Sequence, residues 1–264
     1  MIDAVKFLDS VIGSDEKINT ELNDVFRNLK YKLENEKFRE FMQLYKDYSC
    51  SKTKENSMRF YDFVSIEEID GRKIIDYLMK LRCEEFNGTL PVLHDLCSGS
   101  KNILDIGCGI GLQSIYLALN MPDDSHITGT DISEKSLDYA IKCADKQGLK
   151  NVNFAYCDMM SLNQKKQNEY DCIFIYHALD ESSIYGMGSF NFRCCMEDEK
   201  IHGARHVLAE NGKLILILDF ENRDKHYKNY LKLRMQENGF NNVNLINVEK
   251  VNEVFIVGEK CKQI

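Results

Sequence analysis

The amino-acid sequence predicts an α/β fold: a seven-stranded, doubly wound, mostly parallel sheet with an N-terminal helical cap. Three observations predict it. From Lys101 onward, short apolar runs of β type alternate with helical stretches, the rhythm of strand–helix–strand units that cover both faces of a parallel sheet. A glycine-rich turn, Gly107-Cys108-Gly109-Ile110-Gly111, falls where the first of these strands meets its helix. The last two apolar runs, Val243–Val248 and Val254–Gly258, are about five residues apart, too few for a helical crossover, so they pair antiparallel.

The elements follow in order. Ile18, Leu22, Val25, Phe26, Leu29 and Leu33 recur at spacings of three and four, and Phe38, Phe41, Met42, Tyr45 and Tyr48 continue the stripe. This is one long helix, or two with a break near Asn35. Asp15 and Glu16 place negative charge at its start, where the helix dipole favours it. Polar Ser49–Ser57 reads as a loop, Ile66–Leu81 as a helix and Asn87-Gly88 as a turn. The rhythm changes near residue 97, so 1–96 form a helical cap and substrate region and 97–264 form the sheet domain. The strands there are Asn102–Ile106, Ser125–Asp131, Val152–Cys157, Asp171–Tyr176 and Lys213–Asp219, followed by the two terminal runs. Between them lie helices at Leu112–Asn120, from Ser133 as cap to Gly148, at Glu197–Leu208 and at Asp224–Asn238. Asn211-Gly212 turns the chain into the fifth strand.

Composition narrows the function. Forty-two acidic against 34 basic side chains give a formal charge of −8, which argues against broad electrostatic binding to nucleic acid or acidic lipid. No apolar stretch reaches the roughly 18 residues of a membrane span. Met1–Ile12 carries Asp3, Lys6 and Asp9, unlike a secretory signal. None of the ten cysteines forms a C-x-x-C pair, and Cys143, Cys157 and Cys172 lie in apolar runs, where a free thiol behaves as a small hydrophobe. The expected setting is a reducing cytoplasm, without disulfides or a metal site.

The glycine turn carries the chemistry. Glycines there let the backbone turn sharply and let a ligand approach the main chain with no Cβ in the way. A dinucleotide fingerprint would need its third glycine at position 112, which is Leu112, and no Lys-Ser/Thr follows Gly111 as a phosphate loop would require. The pattern is instead D-x-G-x-G-x-G, with Asp105 two residues ahead of Gly107. A carboxylate there suits a cationic amino group better than a pyrophosphate. Two more acids close strands: Asp131, twenty residues past Gly111, and Asp158 after the third strand. Asp131 is placed to accept hydrogen bonds from two ribose hydroxyls, and Asp158 from the exocyclic amine of an adenine. Ile132 and Met159 follow them and offer apolar contact to the ring.

At these residues the chain resembles the class I S-adenosylmethionine-dependent methyltransferases. Leu104-Asp105-Ile106-Gly107-Cys108-Gly109-Ile110-Gly111 resembles the family's first motif, Asp131 its ribose-binding acid and Asp158 its adenine-contacting acid. Tyr170–Tyr176 resembles the fourth motif, and Asn211-Gly212-Lys213-Leu214 the turn into strand five. The resemblance implies strand order 3-2-1-4-5-7-6 with the last strand antiparallel, and S-adenosyl-L-methionine as cofactor. It implies a cofactor site from Asp105, Gly107, Cys108, Gly109, Gly111, Asp131, Ile132, Asp158, Met159 and Tyr176.

The remaining candidates concern the acceptor. His177 directly follows strand four and is the candidate general base, since a neutral imidazole can take a proton from a hydroxyl or ammonium group. Asp180 and Glu181 are alternatives for orienting it or holding a cationic acceptor. Ala178–Met196, with Tyr185, suits a substrate-covering loop, and Tyr61 and Phe63 suit a lid over the site. His202 and His206 have the spacing of a zinc pair, but no acid follows His202, so a structural role is favoured. The expected partner is a small-molecule acceptor of O- or N-methylation, with no nucleic acid and no membrane. Two further functions fit the same fold: transfer of an aminopropyl or aminocarboxypropyl group, and non-catalytic cofactor binding.

Overall fold

The protein was analysed as a computed structural model, which describes residues 4–12, 22–51, 53–179, 190–219, 225–248, 251 and 253–261. The chain begins with helices α1 (Ala4–Ile12), α2 (Leu22–Lys32), α3 (Asn35–Cys50) and α4 (Lys54–Ile66). A small hairpin, β1 (Glu68–Ile69) and β2 (Arg72–Lys73), leads to α5 (Ile74–Lys80) and α6 (Cys83–Cys97). The sheet region then runs β3 (Asn102–Ile106), α7 (Leu112–Asn120), β4 (His126–Asp131), α8 (Glu134–Lys146) and β5 (Val152–Tyr156). A short 3₁₀ turn (Met159–Gln164), β6 (Tyr170–Tyr176), α9 (Phe190–Val207) and β7 (Leu208–Asp219) follow, and α10 (Lys225–Glu237), β8 (Phe240–Val248) and β9 (Glu253–Lys260) complete the described elements.

The main sheet has the order β5-β4-β3-β6-β7-β9-β8, with β9 antiparallel to both β7 and β8. Counted from β3 as the first strand, this is the predicted 3-2-1-4-5-7-6. Strands β3 and β6 are central, and Ile103, Leu104, Cys172, Ile173, Phe174 and Ile175 are all buried, as a sheet covered on both faces requires. Alternation along the strands sorts them. Ile103, Cys172 and Phe174 join a core with α1–α4, α6 and α7. Leu104, Ile173 and Ile175 join a second core with α9 and α10 on the opposite face. The N-terminal helices therefore share the first core with the sheet. Phe7 of α1 meets Tyr116 of α7 edge-on, with ring centroids 5.3 Å apart. Among the described residues no helix is long and apolar enough to cross a membrane.

The N-terminal part corrects three expectations. Ser49–Ser57 is mostly helical: α3 runs to Cys50, and Thr53 caps α4 by accepting from the Asn56 amide at 3.2 Å. Its polar residues are caps and not a loop. Ile66–Leu81 holds a hairpin as well as a helix, because Asp70 and Gly71 take positive φ (53° and 76°) in a two-residue turn. Asn87-Gly88 lies inside α6; a Cβ on Gly88 would come within 2.6 Å of Val251, so the glycine serves close approach and not a turn. Asn211, at φ 62°, sits within β7, where the pairing with β6 shifts register.

Two glycines separate strain from crowding. Gly111 and Gly148 both have positive φ (75° and 70°), but an added Cβ meets the Phe154 ring at 2.5 Å at Gly111 and nothing within 4 Å at Gly148. Gly148→Ala is expected to cost about 1 kcal/mol in urea unfolding, from backbone strain. Gly111→Ala is expected to cost a further 1–3 kcal/mol or so from overpacking. Equal losses for the two would contradict this account.

Candidate active site

The glycine turn leaves β3 where the sheet order reverses, since β3 lies between β4 and β6. This is the crevice where open α/β sheets hold ligands. The amides of Gly107 and Cys108 both donate to the Thr130 carbonyl, at 2.7 and 2.9 Å. Asp131 then takes the Gly109 amide on Oδ2 at 2.8 Å and the Ser133 amide on Oδ1 at 2.9 Å. Gly107 is pressed against Ala178, which a Cβ would overlap, whereas a Cβ on Gly109 would meet nothing within 4 Å. The loop is thus packed on one side and open at Gly109.

Asp105 lies behind the loop and is 1% exposed. Its Oδ2 accepts from Ser114 Oγ at 2.7 Å, and among the described residues Oδ1 has no hydrogen-bond partner. Burial, with the nearby charge of Asp131, pushes its carboxyl up to about 8. Burial likewise pushes the Cys108 thiol up, which makes it a packing residue and a poor nucleophile.

A cavity of about 330 Å³ opens over the loop, between the strand ends and the N-terminal helices. Of the residues the sequence singled out, Gly107, Cys108, Gly109, Asp131, Ile132, Asp158, Met159, Tyr176, His177 and Tyr61 line it. Asp105 and Gly111 stand behind its wall. Asp180 and Tyr185 lie outside the described residues. Tyr48, Lys54, Met58, Met79 and Arg82 complete the cap side, and sequence reasoning did not select them. Asp158 caps the 3₁₀ turn through the Met160 amide at 3.0 Å and pairs with Lys54 Nζ at 2.6 Å. Burial is the largest single influence and works against ionisation there, but the Lys54 bond and charge and the Met160 amide together outweigh it and draw the carboxyl below its usual range.

The far end of the cavity is a buried polar knot. His177 has φ 55°, an uncommon conformation for a residue with a Cβ, held by its amide bond to the Ile217 carbonyl at 3.1 Å. Its ring stacks on Tyr176 at 4.4 Å, and Nδ1 lies 2.8 Å from Arg82 Nη2. Arginine can only donate, so Nδ1 is the acceptor and the neutral ring carries its hydrogen on Nε2, 2.8 Å from Glu253 Oε1. Arg82 grips Glu85 with Nε, at 3.0 Å, and Nη2. Tyr176 Oη donates to Glu85 and lies 3.2 Å from Glu253 Oε1. Glu85 and Glu253 both face the Tyr176 hydroxyl. Burial first, then the neighbouring Glu85, pushes the Glu253 carboxyl up. Burial opposes ionisation of Glu85, but Arg82 outweighs it and keeps Glu85 ionised. Ligand-type atoms of Glu85, His177 and Glu253 come within 4.8 Å of one another. The Arg82 guanidinium bonds two of these three groups and already supplies the positive charge. Two sequence signals could have pointed here: the i,i+3 pair Arg82 and Glu85, and an acid opening the otherwise apolar run of β9.

Fold and site together define a class I, Rossmann-like, S-adenosylmethionine-dependent methyltransferase domain. The open backbone at Gly109, the Asp131 carboxylate at the cavity edge and the unpartnered Asp105 oxygen behind the loop fit an S-adenosylmethionine nucleoside and its cationic amino acid end. The chain belongs to the methyltransferase-domain family, whose model matches residues 98–254. It is similar to a probable (S)-tetrahydroprotoberberine N-methyltransferase of Papaver bracteatum, 35% identical over 80 residues, covering 30% of this chain and 22% of that protein. It is equally similar to a ubiquinone biosynthesis O-methyltransferase of Coxiella burnetii, 35% identical over 80 residues, covering 30% of this chain and 32% of that protein. The match therefore spans a third or less of these relatives' length. A crystal structure of a SAM-dependent methyltransferase from Aquifex aeolicus superposes with a TM-score of 0.54 at 21% identity, covering 67% of this chain and 92% of that one, and shares its fold.

Two outcomes follow from the loop. Asp105 binds its proton more tightly folded than unfolded, so folding takes up a proton. Without cofactor, stability therefore falls as pH rises from about 4 to about 8, by up to ~1.4 kcal/mol per pH unit. Asp105→Asn is expected to flatten that slope in urea unfolding at pH 5 and pH 8; an unchanged slope would contradict it. Asp131→Ala is expected to weaken S-adenosylhomocysteine binding by about tenfold or more in calorimetry, with the folded circular dichroism spectrum retained.

Proposed function

We propose that this protein methylates an oxygen or nitrogen of a small-molecule acceptor. The observation that carries the reading is one cavity that joins the Gly109–Asp131 edge to the His177–Arg82 knot under the helical cap. Bound there, S-adenosylmethionine supplies a methyl group already activated on a sulfonium.

The chain's own residues do the rest. Each Asp131 oxygen accepts one amide and keeps capacity for a ribose hydroxyl. Asp158, Ile132 and Met159 receive the base. The apolar and aromatic cap residues Met58, Met79, Tyr48 and Tyr61 exclude water and align the acceptor against the methyl position. Where the acceptor carries a proton, His177 takes it at Nδ1 once Arg82 Nη2 releases that nitrogen. Nε2 lies 2.8 Å from buried Glu253 Oε1, which holds the ring in place.

Size and charge support a small acceptor: a cavity of about 330 Å³ in a chain of net charge −8 suits neither a polynucleotide nor a polyanion. Of the relatives that the chain resembles, two are named for small-molecule methylation, one on nitrogen and one on oxygen, and another is named a tRNA/tmRNA (uracil-C(5))-methyltransferase.

The test is product analysis. Incubation with S-adenosylmethionine and an acceptor panel is expected to release S-adenosylhomocysteine in step with a methylated acceptor. Release of methylthioadenosine would instead identify aminopropyl-type transfer. Tight cofactor binding without turnover across the panel would identify a binding module. His177→Gln is expected to lower kcat by about 10²–10⁴ and to remove the fall in rate on the acid side of the pH profile. A profile of unchanged shape would exclude His177 as the base.

A further inference from the structure

We infer that the acceptor group is an acidic hydroxyl, of phenol or enol type, whose oxygen is received by Arg82 as its proton passes to His177. The inference deepens the methyltransferase reading and rests on it.

Arg82 lies on the cavity wall with 28% of its side chain exposed. Its Nε and Nη2 are committed to Glu85, Tyr176 and His177, while among the described residues Nη1 has no partner. The guanidinium is held on two sides. Glu85 grips it as a fork, and it lies over the Phe86 and Tyr176 rings at 5.5 and 5.2 Å from their centroids. Its free arm is therefore a pre-positioned pair of N–H donors. The one lone pair of the His177 ring, on Nδ1, is hydrogen-bonded to the neighbouring arm of the same guanidinium. A base and a cationic donor thus sit side by side.

That pairing selects the acceptor by charge. When a hydroxyl reacts, Arg82 Nη2 releases Nδ1, the O–H bond breaks, the proton binds the freed Nδ1, and the electron pair stays on oxygen against the Arg82 donors. An anion forms where a cation is fixed. Once the oxygen is alkylated, the anion is gone. An amine would have to shed its own positive charge beside Arg82 and recover one on alkylation, with the same cation at hand. The carboxylates nearby do not reverse this, because Glu85 is already spent on Arg82, and burial with the neighbouring Glu85 disfavours a charge on Glu253. Tyr61 faces Arg82 from α4, and Tyr176 faces it from β6, its phenol kept protonated by burial.

The experiment uses two probes of one ring size, para-nitrophenol and benzylamine, titrated into the full chain saturated with S-adenosylhomocysteine. Absorbance of the nitrophenolate reports ionisation directly. Para-nitrophenol is expected to bind as its anion, to ionise at lower pH than in buffer, and to bind at least about tenfold more tightly than benzylamine. Arg82→Gln is expected to remove both the preference and the ionisation shift; Arg82→Lys, which keeps the charge but not the fork, to retain part of each. S-Adenosylhomocysteine affinity shows that each variant is folded. Tighter binding of benzylamine, an unchanged preference in Arg82→Gln, or binding of neither probe to the cofactor-loaded protein overturns the inference. Failure of S-adenosylhomocysteine itself to bind would instead overturn the methyltransferase reading beneath it.

Discussion

The site depends on one carboxylate. Asp131 ends β4 next to the loop that leaves β3, and parallel pairing of Ile106 with Thr130 puts the two strand ends level. The loop cannot continue the sheet, so its amides need other acceptors. Thr130 takes two of them through its carbonyl, and Asp131 takes Gly109 and, on its other oxygen, Ser133. The same acid therefore shapes the loop and starts α8. Positive φ at Gly107, Gly109 and Gly111 is what lets the chain follow that path. The open backbone at Gly109 is a consequence of this folding constraint.

The second constraint ties the cap to the sheet. Arg82 stands at the N-cap of α6 and Glu85 in its first turn, Tyr176 ends β6 with His177 next to it, and Glu253 starts β9. Buried charges are tolerated only when paired and hydrogen-bonded, so each element must keep its place for the others to remain satisfied. The shared core on the same face reinforces this, with Phe86 and Leu90 of α6 packed alongside Phe174 of β6 and Phe255 of β9. The cap thus packs as part of the face of the sheet that bears the cavity, and its helices line that cavity from Lys54 beside Asp158 to Arg82 beside His177.

The division between sheet and cap matches what could be read from the sequence. The sheet order, the antiparallel last strand and the loop acids were legible because they are local: a strand-ending acid, a glycine run, a gap too short for a helix. The cap was not. Its polar capping residues mimic a loop at Ser49–Ser57, a two-residue turn at Asp70-Gly71 hides in an apolar stripe, and Gly88 answers to Val251, distant in sequence. The knot was invisible for the same reason. Glu253 acquires meaning only when β9 is laid beside β7, and Arg82 only when α6 crosses the end of β6. His177 was legible as a position after strand four, but its tautomer follows from those two long-range partners.

The central claim is that Asp131 and the Gly109 edge receive the cofactor nucleoside while the knot faces the acceptor end. A crystal structure of the chain with bound S-adenosylhomocysteine tests it most directly. The account predicts both ribose hydroxyls within hydrogen-bond distance of the Asp131 carboxylate, the sulfur directed toward Arg82 and His177, and the knot unchanged. A ribose placed away from Asp131, or a sulfur directed toward Lys54, would contradict it.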